Sequence, residues 1–470
     1  MSIILQYLYN GHLEEDVMED IVLHSDAEHA ILRKKERRII MLIFKDNRPD
    51  TVTSTFGNGY CAQALVQGSW GFASTTQKEH MKETLERAEF LAAHSRRYKL
   101  RKIELYPVTS CTGTWESPGI TEVNEATITE LCELIRSCQE EVMGLPGIIS
   151  STININIITD VSHLWTSQGS SIAQRIQRIV GTMSMVAREG GDMASYYTEF
   201  GGQYVSELMS TDLLREKSMH CGKICQNLLH RSLPPSKSTE VVLDPTLVGF
   251  LVHEAVGHAA EADIALSGSC LLGKSGHRIA PESVSITDNP QYPSGPGSYG
   301  YDEEGVPTQP TMLIDEGMVS GFLHNRETAH IMDAVPHGHA RAWNFSCEPV
   351  IRMSNTYLNS GDYTFSELVE QVQDGYLIAA GHMGGESDYN GEFTIGTGYC
   401  EKIDGGSLTG EIFKGPVVTG NAFQVLNTIE GIGNQDLFEM RAATCGKTQP
   451  AFVGVGGPPI KTCVTVRGGG

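Results

Sequence analysis

The segment LDPTLVGFLVHEAVGHAAEAD, residues 243–263, constrains the fold of this chain more than any other stretch. Asp244 is a helix-capping residue, and Pro245 suits the first helical position, where no backbone N–H is needed. A helix is therefore expected from Pro245, with His253, Glu254 and His258 well past its first turn. His253 and His258 stand five positions apart. At ~100° per residue this spacing sets them about 140° apart around an ideal helix, against ~40° for an i, i+4 pair. Either the two histidines are unrelated, or the helix absorbs one extra residue, as a π-bulge does. Gly257, just before His258, lowers the steric cost of such a distortion.

The chain around this segment has 470 residues and 40% apolar content, enough for a large core in two or three domains. The apolar run near the N-terminus is short, has no leading positive charge and is followed by no small-residue cleavage site. No window approaches the ~18 apolar residues of a membrane span, so a cytoplasmic protein without a membrane partner is expected. Eleven cysteines, odd in number and scattered, read as reduced thiols, one of them a candidate metal ligand. A net charge of −22 argues against a nucleic-acid partner. The densest basic run, LRKKERR at 32–38, reads as a solvated face rather than an anion site.

Patterning predicts an α+β protein of two domains. The first, 1–235, is mixed α/β. It has a strand at 37–47, a hairpin at 59–74 with Gln67-Gly68 near its tip, and an amphipathic helix carrying Met81, Leu85, Ala88 and Leu91 behind a Thr76–Glu79 capping box. Helices are expected at 126–143 and 171–188, and a half-buried strand at 151–160, where Ile153, Ile155 and Ile157 alternate with asparagines. The prolines and serines of RSLPPSKSTE (231–240) mark the boundary. The second domain, 236–470, is expected to be rich in antiparallel sheet and to carry the His-Glu helix.

Two imidazoles suit zinc, and a glutamate beside the first can take a proton from a water made more acidic by the metal. The residue types leave the third ligand open: Glu261, a thiolate from ATCGKTQPAFVGVGGPP, or, less favoured, His277. If Glu261 does not ligate, it reads as support behind a ligand or as one side of a structural salt bridge. The C-x3-C of HCGKIC (220–225) fits no common metal knuckle, so His220, Cys221 and Cys225 read as helix or turn residues. His337 and His339, in AVPHGHARAWN, and Gly385 are weak candidates for substrate contact. Gly384-Gly385 and Gly454 to Gly457 read more simply as turns joining strands.

Five segments, HEAVGHAAEAD, GSYGYDEEGVPTQPTMLIDEGMVSGFLHNRETA, RMSNTYLNSGD, CGK followed by VGVG, and GSWGFAST (68–75), together resemble the TldD/PmbA family over nearly the whole chain. The resemblance is to the TldD-type, catalytic subunit, since the PmbA (TldE) type lacks the metal set. It implies a zinc metalloprotease with one Zn2+ per chain held by His253, His258 and Cys445, with Glu254 as the catalytic glutamate. It also implies two α+β domains and a dimer, with a TldE/PmbA-like subunit or a second copy. The substrates it implies are unfolded or extended peptides, including leader-peptide or modified-peptide processing. Two alternatives stand beside it: a non-catalytic peptide-binding partner with structural zinc, and dedicated processing of one natural-product precursor. The segment after Cys445 is shorter than the family pattern, and Glu386 stands where glutamine is common.

Overall fold

A long hairpin opens the N-terminal half of the computed structural model, which describes residues 17–98, 101–209, 211–379, 385–387 and 391–468. Strands His29–Lys45 and Arg48–Val66 meet at Asp46-Asn47, both at positive φ (50° and 65°), the tight turn whose twist matches a β-hairpin. Gln67 and Gly68 (φ 50° and 68°) turn the chain again into Ser69–Thr75, at the expected tip. Strand Ile148–Thr166 pairs with the first strand and buries Ile153, Ile155 and Ile157 on one face. Among the described residues these strands join Ser171–Glu189, Asp192–Gly202 and the parallel Thr112–Glu116 in a seven-stranded sheet.

Helices Glu125–Met143 and Thr211–Asn227 cover that sheet, packing Leu131, Ile135, Cys138 and Cys221 against Ile153, Ile155 and Met183. Asn124 caps the first by accepting the Thr127 N–H. Cys221 and Cys225 are buried helix thiols directed at backbone carbonyls, and none of the eleven cysteines is in a disulfide.

Three expectations fail here. Residues 171–188 are strand, not helix: Ser171–Glu189 is paired on both sides and buries Ile179, Gly181, Met183, Met185 and Ala187 in alternation. The Thr76–Glu79 box does not form, because a 3-10 turn at Lys78–His80 comes first and the Gln77 N–H goes to Thr75 Oγ1; the helix then begins at Met81 without a side-chain cap. The basic run is not a solvated face. It lies inside the first strand, whose alternation turns Arg33, Lys35 and Arg37 inward against the C-terminal half, with Arg33 3% exposed.

From Lys237 onward the strands build two further large sheets. Strand Lys237–Leu243 sits between Ile460–Arg467, antiparallel, and Asp374–Ala379, parallel, in a nine-stranded sheet. A six-stranded sheet places Pro450–Gly457 between Glu439–Gly446, antiparallel, and Asn355–Leu358, parallel. Both sheets are thus mixed, with antiparallel pairs in the majority, and the architecture is α+β.

Helix Pro245–Val252 leaves the larger sheet and packs on Pro450–Gly457. Its core contacts come from Leu247, Val248, Leu251 and Val252 against Val453, Val455 and Ile378. The approach is close: a Cβ on Gly249 would lie 2.6 Å from the Gly456 nitrogen. Gly454 and Gly456 are therefore strand residues under a helix rather than loop residues. Among the described residues no helix is long and apolar enough to cross a membrane.

Candidate metal centre

Asp244 caps the helix as its sequence suggests, accepting the Leu247 N–H at 2.8 Å, with Pro245 next. The helix does not continue evenly through the histidines. Residues His253–Gly257 form a π turn closed by the His258 N–H on the His253 carbonyl, and a 3-10 turn follows at His258–Ala260. The extra residue is taken up inside the motif, so both imidazoles reach the same side. Their ring centroids are 5.0 Å apart with planes at 80°. Gly257 keeps an ordinary helical φ of −55°, and its need for no side chain is one of space: a Cβ would lie 2.1 Å from Met353 Sδ.

Cys445 comes to this point from strand Glu439–Gly446, 187 residues beyond His258, with its Sγ 3.3 Å from His258 Nε2. Ligand atoms of His253, His258 and Cys445 lie within 4.8 Å of one another. Tetrahedral zinc, with bonds of ~2.0–2.1 Å to nitrogen and ~2.3 Å to sulfur, sets nitrogen and sulfur ligands about 3.6 Å apart. His253 Nδ1 is buried with no hydrogen-bond partner among the described residues. The donor set and its spacing fit zinc.

Burial pushes the Cys445 thiol up, but the neighbouring His253 and His258 more than offset it and bring it down to about 4. Burial likewise pulls His258 down, and Cys445 and Glu261 raise it to about 10. The pocket thus favours the thiolate, the form in which cysteine ligates a metal. Glu254 lies on the π turn between the histidines and is half-buried.

Glu261 stands behind His258, not among the converging ligand atoms. Its Oε2 is 3.3 Å from His258 Nδ1, and the residue is fully buried. Burial raises this carboxyl, while His258, Lys447 and Arg352 more than compensate and hold it below its usual range. Lys447 Nζ is 3.1 Å from Glu261 and 2.7 Å from Asp263. Arg352, 1% exposed, donates to the carbonyl of Cys445 at 2.8 Å and lies 3.9 Å from Glu261. No role was assigned to Arg352 or Lys447 from the sequence, although both stand in segments that carry the family resemblance, RMSNTYLNSGD and CGK.

Other candidates lie elsewhere. His277 is exposed and faces the Ser275 carbonyl. His339 is completely buried, with Nε2 3.1 Å from Thr311 Oγ1 and Nδ1 3.6 Å from Asp288, so its ring is closed to an incoming ligand. His337 is half-buried and meets the same Thr311 hydroxyl at 3.0 Å. Gly385 begins the short strand Gly385–Ser387, the end strand of the nine-stranded sheet, which packs beside the π turn. Gly384 lies outside the described residues.

Residues 236–467 match the PmbA/TldA metallopeptidase C-terminal domain and 32–92 match PmbA/TldA metallopeptidase domain 1. A protein named metalloprotease from Methanothermobacter thermautotrophicus is 31% identical over 462 residues, spanning 97% of this chain and 99% of its own length. One named zinc metalloprotease TldD homolog, from Saccharolobus solfataricus, is 33% identical over 270 residues, 55% of this chain and 59% of that protein. The solved structure of TldE from Thermococcus kodakarensis superposes with a TM-score of 0.75 at 17% identity, covering 96% of this chain and 100% of that one, a likeness of fold alone. On these matches the chain belongs to the PmbA/TldD metallopeptidase family.

Proposed function

We propose that the chain is a zinc-dependent peptidase in which His253, His258 and Cys445 hold one Zn2+ and Glu254 handles the proton. The observation that carries this reading is the convergence of the three donors through the π turn, to within 4.8 Å. Zinc bound there supplies Lewis acidity to the scissile carbonyl and makes water a better nucleophile. Glu254 takes the proton of the attacking water and returns it to the leaving amine. Glu261 orients His258 through Nδ1, and Arg352 holds the Cys445 strand against the same carboxylate.

Three protein donors among the described residues leave one tetrahedral position for substrate, which favours catalysis over structural zinc. The end strand Gly385–Ser387 beside the π turn favours extended peptides, which can add to a sheet through backbone hydrogen bonds. We assign the domain boundary to 231–240, giving units 1–235 and 236–470. We also assign a partner subunit, TldE-like or a second copy, in keeping with the fold shared with a solved TldE.

The test is zinc content and cleavage of an unstructured peptide for the chain, alone and with a TldE-like partner, beside Cys445→Ser and Glu254→Gln. Expected are zinc near one per chain, loss of zinc and activity together in Cys445→Ser, and zinc without cleavage in Glu254→Gln. Full cleavage by Glu254→Gln would overturn the proton role, and undiminished zinc in Cys445→Ser would overturn the ligand set.

A further inference from the structure

The inward-facing basic run borders a small cleft between the N-terminal sheet and the C-terminal half. Its charges do not balance. Glu303 is shared by Arg33 and Lys35, each at 3.0 Å. Asp160 is shared by Arg37, which holds both its oxygens at 2.6 and 2.9 Å, and by Arg178 at 3.4 Å. Arg341 has no carboxylate partner among the described residues; it donates to the carbonyls of Met353 and Phe452 and lies 4.9 Å from the Tyr299 ring. Asp302, the remaining acid on the cleft wall, is raised well above the ordinary carboxylate range by burial and by Glu304, and accepts backbone N–H groups instead. Four cations, Lys35, Arg37, Arg178 and Arg341, thus line the cleft with Asp160, Glu303 and the backbone-bound Asp302, and Arg33 also draws on Glu303, in a chain whose net charge is −22.

Unpaired buried cations are costly, and an anion between them removes that cost. Arg178 bears the strain: burial, with Arg341 and Arg37 nearby, pulls it down to about 9 despite Asp160. Trp343, stacked 4.3 Å from Arg37, and Phe452 form flat walls. The cleft adjoins the candidate metal centre without containing it: its lining includes Phe452 and Ala451, which pairs across from Cys445, but none of His253, Glu254, His258 and Cys445.

We propose that this cleft binds a small oxyanion, phosphate or carboxylate, among Arg37, Arg178 and Arg341, and that the bound anion ties the N-terminal sheet to the C-terminal half. Planar guanidinium groups suit either chemistry. The site stands whether or not the chain is a peptidase.

The experiment is calorimetry and thermal melting of the full chain with inorganic phosphate, against sodium chloride at equal ionic strength. A second arm uses an N-acetylated tripeptide with a free or an amidated C-terminus. Expected is saturable binding near one per chain with a raised Tm, preserved in Cys445→Ser, weakened about tenfold or more in Arg341→Met and much less in Arg341→Lys. Arg37→Met serves if Arg341→Met gives no cooperative melt. Binding by phosphate alone assigns a free anion, and binding by the free-carboxylate peptide but not its amide assigns a peptide terminus. No saturable binding of either probe, or binding lost in Cys445→Ser and untouched by the arginine changes, overturns the proposal.

Discussion

Arg352 reaches from the carboxylate behind His258 to the carbonyl of Cys445 and so couples the two sides of the candidate metal centre without touching the three donor atoms. Supports of this kind are worth roughly 10–100-fold in metal affinity. Arg352→Met should lower zinc affinity by that order in a chelator competition, with Arg352→Lys in between, because an ammonium keeps the charge but not the fork. Equal zinc affinity in all three chains would reduce Arg352 to packing. A second residue-scale expectation concerns acid. Burial, helped by Arg326 at 3.2 Å, depresses His29 from 6.5 to about 3. The unfolded chain takes that proton at about 6.5, so the stability from neutral His29 is full above this pH and is lost as pH falls towards 3. The slope is about 1.4 kcal/mol per pH unit from this group, and His324, depressed by burial to about 4, acts in the same sense. Melts across that window should show Tm falling with acid, and falling less steeply in His29→Gln.

At the scale of elements, two glycines separate kinds of close approach. A Cβ on Gly249 meets backbone of Pro450–Gly457, which cannot move without shifting the sheet, whereas one on Gly257 meets the thioether of Met353. Gly249→Ala should therefore lower stability more than Gly257→Ala, whose overpacking cost is about 1–3 kcal/mol; denaturant melts of the two would decide. The metal helix was legible because its signals are local: a capping aspartate, a first-turn proline and a spacing that demanded one extra residue. The strand Ser171–Glu189 was not. Ile172, Ile176, Ile179 and Met183 fall at helical intervals, while the competing alternation is enforced by partners on both sides that no local pattern reveals. The Thr76 box failed for a related reason, since a single 3-10 turn moved the start of the helix past it.

At the scale of the whole molecule the two halves are joined through buried charge. Glu303→Gln leaves Arg33 and Lys35 without their carboxylate and should cost about 3 kcal/mol, the low end for a broken buried pair because Glu303 is 19% exposed. An unchanged Tm would mean that the halves are held by other contacts. Composition hid this interface, because LRKKERR within an acidic chain looks like solvated surface until strand alternation meets a facing domain. Cys445 was equally illegible from local pattern. A thiol 187 residues from His258 has nothing nearby to mark it, and only the resemblance of the whole chain to a family singled it out.

The chain order of the C-terminal half also bears on how it is made. Strand Pro450–Gly457 sits inside one sheet, between Asn355–Leu358 and Glu439–Gly446, and Ile460–Arg467 sits inside the other, between Lys237–Leu243 and Val417–Asn421. A nascent chain leaving the ribosome therefore carries two sheets with a missing middle until residues 450–467 emerge. Through that interval the histidine pair is already synthesised but its walls are absent, so the three donors of the candidate metal centre cannot converge until the last strands are in place.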